Sequence, residues 1–541
     1  MTSTDSRRGV TTGSTRAYDI AIVAVLVASA AVYIATSATV ESLGSDTSTY
    51  YVLAKTLLEQ HRYWFNFEPH TFYPPGFPFM LAALISIAGD SFSVLVKWLA
   101  VTYFIGAAGL YYFLKRHADP VVAAAIVILM VTSYVFYFLA TIGMHSDGPY
   151  FAVFIFALLA FDIGNSTSNT TRRIVAQVAV GVFGGYLLLV RSIGVAFLGA
   201  LFVWMLAPDR LIWNGDKESP ARRIKRWLPS ALLALVAFVG WSSWVAKQPS
   251  GAPHDYAHSY SRQILKEDPH RLDSPTVTLK TLPRRVIRMA IVRVQNSTMM
   301  VFNVPNMSLK RIAPLMLAFL VLVTVGFMAS LVRTGALLEW YVLLYFGVLL
   351  LYPYDEGMRY LYPIQPFLML YAVRGVDVIH TALMDRVPSL AVGRAAIRLA
   401  EGAVAVAILW MGFYQISILV RGNLHPDPTT FTNARTIQSS DWIVRNAQPN
   451  DVIMDDQDSI VYRLTGHRTL HFPLTTDPDV LRAAIAEDHV SLVVVLDERK
   501  YEYYDPSPAA RFDRLKRLSP ALFAPVYRFD GGTIYRVKGG A

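Results

Sequence analysis

The chain has 541 residues, 54% of them hydrophobic and only 16% charged, and its mean hydropathy is +0.38. Soluble domains carry roughly 25% charged residues, so apolar residues grouped into long runs exclude an ordinary soluble protein here. The net charge of +10 is what cytoplasmic loops of a membrane protein collect and is no sign of nucleic acid, while the lack of cysteine excludes disulfides, thiolate catalysis and Cys-based metal sites.

A polar tail, residues 1–19, carries Arg7, Arg8 and Arg16 and precedes the run "IAIVAVLVASAAVYIATSA". This run is too long for a signal-peptide core, so it reads as a retained anchor. Further runs of the roughly 20 residues that cross a bilayer follow, giving spans at 20–38, 92–114, 120–140, 148–164, 174–190, 192–208, 228–246, 310–332, 336–352, 360–380 and 397–420. The fold class predicted is a polytopic α-helical membrane protein of about eleven spans. The piece "PPGFPFMLAALISIAG" (74–89) is shorter and opens on Pro74, Pro75 and Pro78, which suits a re-entrant or interfacial helix.

Charge sets the orientation. If 74–89 does not cross and the N-terminus is inside, the inner segments are "LKRHADP", "NSTSNTTRR", "PDRLIWNGDKESPARRIKRW", "VRTG" and "MDRVPSLAVGRAAIRLAEG", and all carry Arg or Lys. The outer face then holds loop 39–91, "GMHSDGP", the turn at Arg191, loop 247–309, "YPYDEGMRY" and the tail 421–541. The body of the protein, 20–420, is the expected catalytic membrane domain, and the tail is a small extracytoplasmic α/β domain. Its strands are "DVIMD", "SLVVVLD", "APVYRF" and "TIYRV", the last two joined by an Asp-Gly hairpin turn, and its helices are "ARTIQSSDWIVRNA" and "DPDVLRAAIAEDH".

Candidate chemistry clusters on that outer face. Asp46, in "GSDTSTYYVLAKTLLEQ", and Asp147, in "MHSDGPYF", both stand where a carboxylate could cap a helix, or could meet a reacting hydroxyl as a base. Arg191 interrupts an apolar stretch and either snorkels to lipid phosphate or forms an inward anion site. Arg359 lies close to Asp355 and Glu356, and its plainest partner is an ion pair within that loop. Loop 247–309 adds Lys266, Arg271, Arg284, Arg285, Arg288 and Arg293, a cationic rim that suits lipid phosphate. His61, Tyr63, Trp64, Phe65, His70, Phe72 and Tyr73 form either an interfacial aromatic belt or a carbohydrate platform. The sequons at Asn165, Asn169 and Asn296 are assigned no role.

Taken in order, "GSDTSTYYVLAKTL", "YPPGFPFMLAAL", "HSDGPYF", "LLLVRSIG" and "RYLYPIQPFLML", with the tail pattern "DWIVRNAQPNDVIM", resemble the GT-C superfamily of integral-membrane glycosyltransferases. The likeness is to the bacterial relatives of protein O-mannosyltransferases and aminoarabinose transferases. The resemblance implies a multi-pass protein of the bacterial plasma membrane, acting at its outer, periplasmic face among membrane lipids. It implies a polyprenyl-phosphate sugar donor and a glycan, lipid or protein acceptor. It places the base on Asp46 with Asp147 assisting or holding a metal or acceptor, and donor phosphate on Arg191 and Arg359; from the rim and the outer loops, Arg288 joins the phosphate set and His61, Tyr73, His145 and Glu356 are the candidate acceptor or sugar platform. Relatives often carry a second acid beside the first, where this chain has Ser45 and Thr47, and some carry Lys before the Pro pair, where it has Tyr73. The sequence specifies no cofactor, and Asp46, His145 and Asp147 could together take a divalent metal. A transporter or flippase of a lipid-linked saccharide is the rival reading; against it, no inverted repeat is visible and the polar residues gather at one face rather than mid-membrane.

Overall fold

A computed structural model describes residues 12–39, 44–208, 219–249, 260–268, 274–386, 393–425, 434–473, 475, 477–496 and 508–538. Helix α1 (Thr12–Thr36) leads into α2 (Ser45–Gln60), the short strands β1 (Trp64–Phe65) and β2 (Glu68–Pro69), then α3 (Gly76–Ala88) and α4 (Phe92–Leu114). Next come α5 (Pro120–Val131), α6 (Tyr134–Thr141), α7 (Asp147–Ser166), α8 (Thr170–Val190), α9 (Val195–Leu206), α10 (Pro220–Val245) and α11 (Tyr260–Leu265). The membrane part closes with α12 (Leu282–Phe302), α13 (Leu309–Arg333), α14 (Leu337–Leu351), α15 (Gln365–Arg386) and α16 (Arg394–Leu424).

Among the described residues, eight helices are long and apolar enough to cross a bilayer, and α5 with α6, bent by 54° at their break, passes the same test as a pair, a broken span or a re-entrant loop. The remaining two expected spans are shorter than predicted. The 15 residues of α14 reach about 22 Å at 1.5 Å per residue, less than the ~30 Å hydrocarbon core, and the apolar helix Ser192–Leu206 is equally short. The two pack on each other, with Phe197 against Tyr341, so protein rather than lipid surrounds much of their length. The bend between α5 and α6 frees backbone groups that lipid cannot satisfy. Asn303 repairs it: its side-chain oxygen accepts from the Tyr134 N–H at 2.9 Å, and its amide donates to the Ile408 carbonyl at 3.3 Å.

Polar contacts show which helix ends share a side. At one end Lys115 meets Asp19 at 3.0 Å, His117 meets Asp162 at 3.3 Å, and Arg398 meets Asp377 at 3.2 Å. At the other, Asn423 donates to the Thr36 carbonyl at 3.0 Å, Tyr137 donates to the same carbonyl at 2.9 Å, and Tyr63 packs on Trp241 and Trp244. Both flanks of α3 lie at this second end: Gly76 beside Val190, and Asp90 bonded to Lys55 of α2. Its 13 residues therefore run along this end instead of crossing the bundle.

The C-terminal part has helix α17 (Ala434–Asn446), strand β3 (Val452–Asp455), α18 (Asp458–Thr465), β4 (Thr469–His471), α19 (Pro478–Glu487), β5 (Val490–Leu496), α20 (Pro508–Leu518), β6 (Phe523–Phe529) and β7 (Gly532–Val537). The sheet order is β4-β3-β5-β7-β6, parallel from β4 to β5 and antiparallel beyond. Alternating side chains feed two cores. Met454 and Val493 join Leu481 and Phe512 on one face, while Ile453, Leu492 and Val494 join Ile443 and Val461 on the other. The expected hairpin turns at Asp530–Gly531, with Gly531 at φ +77.

This domain grips the loop after α2. The β1–β2 turn places Asn66 and Phe67 at φ 52 and 66, and the Asn66 amide then donates to the Thr469 carbonyl at 2.7 Å and accepts from the Thr469 N–H at 2.8 Å. A side chain thus supplies the pairing that edge strand β4 would otherwise present to solvent. Arg468 meets Glu68 at 2.7 Å, Tyr462 packs on Phe65, and the Arg463 guanidinium lies 4.2 Å from the Tyr51 ring centroid.

Candidate active site

Four helix ends converge at the end of the bundle that carries the C-terminal domain. Neither candidate acid is a cap. The α2 N-cap is Gly44 and the α7 N-cap is Ser146, without side-chain capping in either case. Asp46 and Asp147 instead sit in the first turns, where the helix dipole favours negative charge, and turn their carboxylates toward arginine. Arg359 bridges them: its Nη1 donates to Asp46 Oδ2 at 2.6 Å and its Nε to Asp147 Oδ2 at 2.8 Å. Arg191, in the break between α8 and α9, donates to the other Asp147 oxygen and to Ser146 Oγ at 3.2 Å, and lies over the Tyr360 ring. The lipid-snorkelling alternative for Arg191 is therefore set aside. So is the local ion pair for Arg359, because Asp355 is engaged by Arg293 at 3.3 Å and by the Asn296 amide at 2.8 Å.

The backbone must approach closely for this to happen. A Cβ on Gly148 would stand 2.1 Å from the Tyr103 ring, and one on Gly76 would stand 2.7 Å from the Leu189 carbonyl. Glycine at these points lets α7 seat Asp147 against α4 and lets α3 reach the end of α8 beside Arg191. Tyr73 follows from that second contact. Its hydroxyl donates to Asp46 Oδ1 at 2.6 Å, its N–H donates to His70 Nε2 at 3.0 Å, and its carbonyl accepts from Tyr63 at 2.8 Å. Tyr50 stacks near it at 4.8 Å and shares Ser146 with Arg191.

Burial opposes charge on Asp46, but Arg359 and the Tyr73 hydroxyl outweigh it and hold the carboxyl at about 2. Burial, helped by Arg359, pulls His145 down to about 4, so its imidazole is neutral. Its Nδ1 has no hydrogen-bond partner, and its ring stacks with Phe138. The Asp147 side chain is 2% exposed and that of Asp46 is 30%, so a molecule arriving from outside reaches Asp46 first. Glu356 stands exposed at the rim, within electrostatic reach of Asp46 and Arg359.

Two predicted residues lie elsewhere. His61 ends α2, exposed at φ 55 and about 22 Å along the helix from Asp46 at the usual rise. Arg288 is exposed on α12, a helix that was expected to be loop. Lys266 and Arg285 serve backbone carbonyls nearby, and Arg271 lies outside the described residues. Arg293 was counted only as part of the rim; it is wholly buried and anchors the turn before Arg359 through Asp355 and the Tyr354 carbonyl. The signal was present, since Met289, Arg293, Asn296 and Met300 recur at helical spacing. Asn296, 5% exposed and bonded to Asp355, is in no position to accept a glycan. Among the described residues no group of three His, Asp or Glu is arranged to hold a metal ion. The Arg359 guanidinium occupies the gap between the two aspartates.

Residues 73–244 match the family model for dolichyl-phosphate-mannose-protein mannosyltransferases. ArnT from Cupriavidus metallidurans, solved bound to undecaprenyl phosphate, aligns over 96% of this chain and 98% of its own at TM-score 0.55 and 14% identity. AglB, an archaeal oligosaccharyltransferase from Archaeoglobus fulgidus solved with an inhibitory peptide and a dolichol-phosphate, aligns over 96% of this chain and 74% of its own at TM-score 0.55 and 13% identity. The chain has the GT-C fold. No curated protein matches it by sequence.

Proposed function

We propose that the protein is a membrane glycosyltransferase that moves a sugar from a polyprenyl-phosphate donor to an acceptor hydroxyl, at the outer face of the membrane. The observation that carries this is the bridged set of Asp46, Asp147, Arg191 and Arg359 at the domain-bearing end of the bundle. Such a transfer needs a base for the hydroxyl and cations for the departing phosphate, both next to the lipid. The match to the mannosyltransferase family and the likeness to ArnT and AglB support the same chemistry.

In this reading Asp46 takes the acceptor proton, the acceptor oxygen attacks the anomeric carbon opposite the phosphate, and the configuration inverts. Arg359 and Arg191 face the phosphate, and Asp147 holds both arginines in place. Tyr73, His145 and Glu356 line the approach to Asp46. Segments rich in Lys and Arg, such as 115–116, 172–173 and 222–226, gather at the opposite end, which the positive-inside rule assigns to the cytoplasm. The domains act as the membrane body 20–420 and the tail 421–541 beyond it. A transporter has little support, since the bridged charges lie at one end of the bundle.

The test is transfer of labelled sugar from synthetic polyprenyl-phosphate sugars by the purified protein, with Asp46→Asn beside wild type. The expected result is transfer by wild type with inversion, and loss of about 100-fold or more in the variant. Retained transfer in Asp46→Asn removes the base assignment. Translocation of lipid-linked saccharide in vesicles with no transfer removes the enzyme reading.

A further inference from the structure

The bridged set is balanced by itself: two carboxylates face two guanidinium groups. A neutral site offers an incoming phosphate little net attraction, so the function proposed above, on which this inference rests, needs a source of positive charge. The two acids differ in how firmly they are held. Asp147 is 2% exposed and engages both arginines, through Arg359 Nε and Arg191. Asp46 is 30% exposed and engages a single arginine, through Arg359 Nη1. Losing the Asp46 contact would leave Arg359 tethered to Asp147 with its Nη groups available.

We propose that Arg359 is an exchangeable counter-ion, neutralising Asp46 at rest and handed to the leaving polyprenyl phosphate as Asp46 takes the acceptor proton. The charges balance. The sugar donor is a phosphodiester with one negative charge. When the bond from the anomeric carbon to the phosphate oxygen breaks, its electron pair stays on that oxygen and the phosphate gains a second charge. The acceptor oxygen bonds to the anomeric carbon and its proton passes to the Asp46 carboxylate, which becomes a neutral acid. The positive charge that Asp46 no longer needs equals the negative charge that the phosphate gains.

The exchange also accounts for a base that looks too weak. Paired with Arg359 and Tyr73, Asp46 holds its proton poorly. As the leaving phosphate draws Arg359 away, the Tyr73 hydroxyl and neutral His145 remain beside it, with Glu356 at the rim, and the carboxylate becomes a better base. Base strength then rises only in step with the charge that builds on the leaving phosphate. Asp147 stays ionised throughout as the fixed anchor of both arginines.

This makes a prediction that a plain base does not. Asp46→Asn imitates the protonated acid, so it should abolish transfer and yet bind the product lipid phosphate more tightly. Undecaprenyl phosphate is titrated into the detergent-solubilised full chain for wild type, Asp46→Asn, Asp46→Ser, Arg359→Gln and the Asp46→Asn/Arg359→Gln double variant. The Ser variant removes the carboxylate but keeps a hydroxyl in the first turn of α2, should the Asn variant fold poorly. Both Asp46 variants are expected to bind on the order of tenfold tighter than wild type, as loss of one nearby like charge predicts. Arg359→Gln should bind more weakly, and the double variant should show none of the gain. Equal or weaker binding by folded Asp46 variants overturns the exchange while leaving the lipid-phosphate reading intact. A gain that persists without Arg359 does the same. Failure of wild type to bind undecaprenyl phosphate removes the lipid-phosphate reading, and the exchange with it.

Discussion

Two groups of buried aspartates sit at the ends of secondary structure in this protein, and they behave oppositely. In the membrane part, Asp46 and Asp147 share Arg359, and Arg191 backs the second. In the C-terminal domain, the run after β3 contains Asp455, Asp456 and Asp458. Arg511 takes Asp456 at 3.1 Å and His471 takes Asp458 at 3.1 Å. Asp455 accepts from the Gln457 N–H at 2.6 Å, but its other oxygen is buried without a partner, and burial pushes its carboxyl up to about 8. Arginine outweighs burial at Asp46 and Asp147, whereas burial outweighs Arg511 at Asp456 and meets no cation hydrogen-bonded to Asp455. The first arrangement keeps its carboxylates charged; the second holds a neutral acid, Asp455, as part of a core.

That contrast can be broken from either side. Removing the bridge should have the largest effect on the fold: Arg359→Gln leaves Asp46 and Asp147 without their shared cation, at a cost of about 3–5 kcal/mol, read as a fall in the thermal midpoint of the purified protein. A midpoint like that of wild type would mean that Arg191 alone suffices. Adjusting the uncompensated acid should work in the other direction. The Asp455 pKa is raised in the folded state, so its contribution is most favourable below about pH 4 and declines as pH rises toward 8. Asp455→Asn should therefore stabilise the C-terminal domain by a few kcal/mol at pH 7 (on the order of 2–4), with the gain vanishing toward pH 4. A gain independent of pH would contradict the assignment.

His145 sharpens the comparison from the cationic side. Its folded pKa of about 4 lies below the ordinary value of 6.5, so its stability contribution is complete above about 6.5 and is lost as pH falls through 4. Unfolding measured between pH 7 and 4 should show a loss of up to about 3 kcal/mol, which His145→Gln flattens. The smallest effect is expected at the seam between the two regions. Asn66→Ala removes both bonds to the Thr469 backbone and should loosen the docking by about 1–2 kcal/mol, visible as faster hydrogen exchange at the Thr469 amide with little change in the sheet core.

Much of the fold was legible because its causes are local. A run of apolar residues long enough to cross a bilayer is a span whatever surrounds it, and the continuous apolar run in "SLVVVLD" places β5 between two cores. The two short spans differed in length, since burial against protein relaxes a requirement that lipid imposes, and α11 and α12 formed where a loop was expected. The candidate site was half legible. Asp46, Asp147, Arg191 and Arg359 could be nominated as charges at one membrane face, yet whether each acid capped a helix or met a cation depended on its partner. Tyr50 and Ser146 carried no mark of their part in the cluster, because an aromatic in an apolar run or a serine in a turn is unremarkable alone, whereas Arg293 and Asn296 were legible only as one face of an amphipathic helix.

By itself, then, the sequence determined the membrane class, the approximate spans, the separate α/β tail and the set of charges available at one face. These follow from hydrophobic length, short apolar strand runs and the cost of burying charge. Only the tertiary structure decided that Arg359 lies between two aspartates, one of them 313 positions away in the chain, that His61 and Arg288 stand apart, and that Asn66 fastens the tail to the loop after α2. Side-chain ion pairs reach only a few ångströms, so pairing depends on which helix ends the packed bundle brings together, and nothing in the local sequence around Asp46 specifies that.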